Sequence, residues 1–128
     1  ISEAIGRFVD FAEDSFFVAH NASFDYGFLQ HNAKSNGLDF KNHKICTVKL
    51  ANRLFPMLHS KRLAALCDYF RITNEQEHRA MADARATYCV FNNMRAKLRK
   101  MGIEEMIDVM RFERLSKREI FDNYGTPW

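Results

Sequence analysis

Apolar positions along the chain fall into blocks whose spacing changes from helical to extended and back. Ile5, Phe8, Val9 and Ala12 recur at helical steps behind Ser2 and Glu3, which predicts an amphipathic helix over 3–13 with Ser2 as its N-cap. Phe16 to Ala19 is a short unbroken apolar run, as expected of a strand buried on both faces. Phe24, Phe28 and Leu29 share one face of a second predicted helix, 24–36, stopped by Asn36-Gly37. A weaker strand is expected at Lys44–Cys46. Thr47 is then read as the cap of a short helix carrying Leu50, Ala51, Leu54 and Phe55, ended by Pro56. Ser60 is read as the cap of a helix with Leu63, Leu66, Cys67 and Phe70 inward. The longest periodic block, Ala80, Ala84, Thr87, Phe91, Met94, Leu98 and Met101, predicts a helix over 79–101 stopped by Gly102. Ile103, Met106, Ile107 and Met110 mark one more, and residues 113–128 read as a tail or linker behind a domain of residues 1–112.

Five or six helices with one clear strand and one weak one make an unbalanced inventory, because a strand needs neighbours to satisfy its backbone. The expectation is an α/β fold whose early sheet strands lie upstream of Ile1, leaving a helix-rich, incomplete remainder. The length of 128 residues and a 47% hydrophobic fraction suit one packed domain. No run of about 18 apolar residues is present, so no membrane partner is expected, and no signal-like start is visible. The three scattered cysteines, Cys46, Cys67 and Cys89, read as reduced, buried thiols of a cytoplasmic protein. Charge is uneven: residues 1–40 carry six acids and two bases, whereas 41–128 carry ten and seventeen, a balance compatible with gripping a polyanion around a metal centre.

The candidate chemistry lies in Val18-Ala19-His20-Asn21-Ala22-Ser23-Phe24-Asp25 and in His78-Arg79-Ala80-Met81-Ala82-Asp83. Asp25 follows a buried strand and opens a helix, at the sheet edge where ligands of α/β folds gather. Asp83 borders the apolar face of the long helix, where a charge is costly unless paired or metal-bound. Carboxylates suit Mg²⁺ or Mn²⁺, and a histidine such as His78, with an unperturbed pKa of about 6.5, suits a general base. Asn21 offers an amide to a sugar or base edge. Phe24 offers a ring to a terminal base. His20 is read as structural, and His31, His43 and His59 are given no role.

These two motifs resemble the second and third motifs of the DEDDh 3′–5′ exonucleases, a family that includes the proofreading epsilon subunit of bacterial DNA polymerase III. The segment Ile45-Cys46-Thr47-Val48-Lys49-Leu50-Ala51-Asn52-Arg53-Leu54-Phe55-Pro56 is similar to the epsilon-like branch, and the likeness covers about residues 1–100. The resemblance implies an RNase H-like α/β fold. It also implies Asp25 and Asp83 as ligands of a two-ion Mg²⁺ or Mn²⁺ site, His78 as general base, and Asn21 and Phe24 as contacts of the 3′-terminal nucleotide. The implied substrate is single-stranded DNA or a frayed 3′ end, with RNA left open, and the implied partner is a polymerase or a fused domain.

The family's first motif, Asp-x-Glu, occurs nowhere in this chain. With two of four carboxylates, the chain alone is expected to hold metal poorly and to be inactive or nearly so. Two other readings stay open: a non-catalytic exonuclease-like module that binds nucleic-acid ends or docks onto a polymerase, and a purely helical interaction domain. A strand at 16–20 separates the third from the others.

Overall fold

A computed structural model of the chain describes residues 2–73 and 79–125. Among the described residues there are nine elements: α1 (Ser2–Ala12), β1 (Phe17–Ala19), α2 (Ala22–Ser35), β2 (Lys44–Cys46), α3 (Thr47–Leu54), α4 (Leu63–Phe70), α5 (Arg79–Lys100), α6 (Met106–Glu113) and α7 (Lys117–Tyr124). The two strands pair in parallel, with Phe17, Val18 and Ala19 opposite Lys44, Ile45 and Cys46. Parallel neighbours require a crossover, and α2 supplies it. The strand at 17–19 overturns the purely helical reading.

Alternation along β1 places helices on both sides of the sheet. Phe16 and Val18 join the larger core, built around Ile45, Leu50, Leu54, Leu66, Val90, Met94 and Leu98. Phe17 points the other way, into a smaller core of Ile5, Ala33 and Phe40 beneath α1 and α2. There Phe40 stacks within 5.6 Å of Phe8, 5.8 Å of Phe17 and 5.0 Å of Tyr26, spacings typical of aromatic clusters. Full burial of the strand was the expectation from its apolar run, and the structure corrects it: Phe17, Val18 and Ala19 are all half-buried. Both faces are covered, yet among the described residues only one edge of β1 has a strand beside it.

Two helices end as their sequences foretell. Gly37 adopts φ +71° behind α2, so that Gly37 N–H donates to Lys34 O and Leu38 N–H to Ala33 O. Gly102 does the same behind α5 at φ +85°, with Ile103 N–H reaching Leu98 O. In each case a residue without Cβ enters the left-handed region and closes orphan carbonyls.

The expected caps of α3 and α4 are different residues. Cys46 holds the N-cap position of α3 without a side-chain cap bond, and Thr47 is its first helical residue. A carboxylate from far along the chain takes over: buried Glu113 accepts a hydrogen bond from Cys46 N–H at 2.9 Å. Removing that acceptor leaves a buried donor unsatisfied, which costs about 1–3 kcal/mol. Arg62 holds the N-cap position of α4, while Ser60 Oγ accepts from Arg62 N–H at 3.3 Å and shapes the loop instead.

The buried face of α5 matches the expected one over its second half and departs from it over the first. Ala86, Val90, Phe91, Met94 and Leu98 are buried, whereas Ala80 and Ala84 are exposed. Alanine and threonine at helical steps satisfy an apolar pattern without needing burial, so periodicity alone chose too wide a stripe. Asp83 is therefore exposed rather than set against the core.

Where a tail or linker is expected after residue 112, the chain folds back on the core. Ser116 caps α7 in a reciprocal capping box with Glu119, Ile120 is fully buried, and Tyr124 meets the Phe112 ring at 5.8 Å. Arg53 Nε donates to Leu115 O at 2.8 Å and ties the α6–α7 turn to α3.

Candidate active site

Beside β1 lies a cleft of about 850 Å³, lined on β1 by Phe17, Val18 and Ala19 and on α5 by a stripe that includes Asp83 and Thr87. Asp25 and Asp83 both line it. Each carboxylate arrives for a local reason. The chain leaves β1 through His20 and turns at Asn21, which adopts the left-handed conformation (φ 66°, ψ 53°) that asparagine tolerates better than most residues. That turn starts α2 at Ala22 and puts Asp25 in its first turn, where the helix dipole favours a negative charge. Asp83 sits on the cleft-facing stripe of α5, which continues through Thr87, Tyr88, Asn92 and Arg95.

The other residues singled out from the sequence are placed differently. Asn21 and Phe24 are exposed on the rim at the start of α2 and do not line the cleft. Asn21 makes no side-chain cap bond. Phe24, at 74% exposure, is not a core residue. His78 lies outside the described residues.

The donor set suits a hard cation. Two carboxylates on one wall-to-wall cleft offer the oxygen ligands that Mg²⁺ and Mn²⁺ prefer. Among the described residues no group of three or more histidines, cysteines, aspartates and glutamates is close enough to hold an ion. The fit is that of part of a ligand set.

The profile of the exonuclease family (RNase T type) matches residues 1–91, which takes in α1 through the first half of α5 and both carboxylates. The chain belongs to the exonuclease family. It is 35% identical over 109 residues to a PolC-type DNA polymerase III of Caldanaerobacter subterraneus subsp. tengcongensis, covering 85% of this chain and 8% of that protein. It is 42% identical over 88 residues to the PolC-type DNA polymerase III of Halalkalibacterium halodurans, covering 68% of this chain and 6% of the relative. A putative bifunctional exonuclease/endonuclease protein of Mycobacterium tuberculosis is 37% identical over 106 residues, 80% of this chain and 16% of its own length. The chain thus spans a small part of the relatives it matches. The family resemblance read from the two motifs holds.

Some residues of this cleft are not singled out by motif reading. Tyr88, Asn92 and Arg95 line it one, two and three turns beyond Asp83. Their signal was the helical spacing from Asp83 itself, masked by the competing apolar pattern on the same helix. His20 lines the cleft too: its Nδ1 lies 2.8 Å from Thr47 Oγ1, and that hydroxyl also reaches Ala19 O at 3.4 Å.

Burial lowers the His20 pKa below its ordinary 6.5, with a backbone hydrogen bond to Lys61 partly opposing the shift. Protonation is thus harder in the folded than in the unfolded chain. The stability from neutral His20 is complete above about pH 6.5 and is lost as pH falls below that value toward the lower folded pKa. Melting temperature is expected to drop between pH 7 and pH 5, and His20→Gln is expected to flatten that part of the profile. Identical slopes for the two proteins would refute the assignment.

Among the described residues no helix is long and apolar enough to cross a membrane.

Proposed function

We propose that this chain is part of a metal-dependent 3′–5′ exonuclease of DEDDh type, with an RNase H-like fold, that releases nucleoside monophosphates from DNA 3′ ends in proofreading or repair. The observation that carries the reading is the convergence of Asp25 and Asp83, 58 positions apart in sequence, on one cleft at the end of β1. Family membership and the PolC-type relatives support a polynucleotide substrate and a polymerase context.

Asp25 and Asp83 would hold the cation, Mg²⁺ or Mn²⁺, in a two-ion site. When bound, such ions polarise the scissile phosphate and lower the pKa of water. His78 takes the proton from the attacking water. Asn21 hydrogen-bonds the terminal nucleotide, and Phe24, already solvent-facing, stacks on its base at a gain of about 1–3 kcal/mol. Because no Asp-x-Glu pair exists in the chain, its two carboxylates are too few for tight metal binding, and the 128-residue polypeptide alone is inactive or nearly so.

That same missing pair favours a second reading, an exonuclease-like module that binds ends without cutting them. One experiment separates the two. The protein extended upstream of Ile1 by a strand bearing Asp-x-Glu is incubated with 5′-labelled and 3′-labelled DNA oligonucleotides, in Mn²⁺ and in EDTA. Metal-dependent release of mononucleotides from the 3′ label first supports the nuclease. Binding in EDTA with no cleavage after metal is restored supports the module.

A further inference from the structure

The loop between α3 and α4 runs directly into a residue of the acidic cleft. Leu63, the first residue of α4, lines it. Arg62 immediately precedes Leu63 and has an exposed side chain. The loop is ordered by its own contacts: Leu58 N–H donates to Phe55 O at 3.1 Å, Lys61 Nζ donates to Leu58 O, and Ser60 Oγ accepts from Arg62 N–H. With the ammonium of Lys61 engaged on a carbonyl, the guanidinium of Arg62 is the cation left to face outward. Among the described residues Arg62 forms no ion pair.

We infer that Arg62 binds a backbone phosphate of single-stranded DNA whose 3′ end lies in the cleft, so that the strand leaves the site over the loop 58–62. The inference rests on the nuclease reading and adds a strand path to it. The chemistry is electrostatic. Asp25 and Asp83 repel a polyanion wherever a cation does not neutralise them, so a strand held there gains from a fixed positive group on its next phosphates. Arginine supplies a planar, always-charged fork suited to phosphate oxygens. The base stays unread by such a contact, which fits a nuclease indifferent to sequence.

The test uses the 128-residue chain and a 5′-fluorescein-labelled dT12 in EDTA, with fluorescence anisotropy read at a series of KCl concentrations. Arg62→Gln is expected to weaken binding by about threefold to tenfold and to lower the slope of log affinity against log salt by ~0.7, the value of one single-strand phosphate. Arg62→Lys is expected to recover most of the affinity. Arg118→Gln, which removes an exposed cation paired with Asp122 on α7, is expected to change neither quantity. Wild-type affinity and slope in Arg62→Gln, or an equal loss in Arg118→Gln, overturns the inference. Failure of the wild-type chain to bind dT12 overturns it as well, while hydrolysis by the extended protein decides the nuclease reading separately.

Discussion

Asp83→Asn, placed in a protein extended upstream of Ile1 by a strand carrying Asp-x-Glu, is expected to slow hydrolysis of a 3′-labelled oligonucleotide by about three orders of magnitude, on the order of 4 kcal/mol in the barrier. The substitution keeps shape and removes charge. Asp83 is exposed on the cleft wall and belongs to no core cluster, so the melting temperature should be nearly unchanged. Asp25→Asn should fall to a similar floor, and the double variant should lie little below either, because ligands of one site act as a unit. Retention of wild-type hydrolysis by Asp83→Asn with metal present would end the assignment of this cleft as the catalytic centre.

The second large effect concerns the C-terminal helix. Ile120 is completely buried, in contact with the main core, from a helix whose capping box fixes its start. Ile120→Ala should cost about 2–5 kcal/mol, through lost burial plus the cavity left behind. For a chain of this size that is a fall in melting temperature of roughly 10 °C. Phe121→Ala, next along the helix but 58% exposed, should shift stability by no more than about 0.5 kcal/mol. A melting point unmoved by Ile120→Ala would show that α7 is not integral to the folded unit.

Motif residues were legible before any coordinates because their chemistry constrains type and spacing together. The segments around Asp25 and Asp83 carry that double constraint, and the structure brings both carboxylates to one cleft. Elements with large apolar side chains were equally legible: β2 falls on Lys44–Cys46 and α5 ends at Lys100, one residue from expectation. What escaped were features set by partners remote in sequence. Glu113 opens the segment read as a tail, yet it is buried and accepts a hydrogen bond from Cys46 N–H. Residues 113–124 read as a tail because one isoleucine among charged residues gives a weak period, and only packing on Phe112 and α3 shows why they order. On α5 the expected stripe holds at Phe91, Met94 and Leu98 and fails at Ala80 and Ala84, because small residues fit an apolar period without needing burial. His78 lies outside the described residues, so its assignment rests on the family's motif.

Among the described residues one margin of β1 has no strand beside it, and this has a bearing on how the 128-residue chain by itself behaves in solution. Bare main chain at such a margin attracts other extended segments, although a strip of three residues offers them few hydrogen bonds. Here the sticky strip and the acidic hollow are the same place. Clumping and substrate capture should therefore compete, and light scattering of concentrated samples should decline when an oligonucleotide is added.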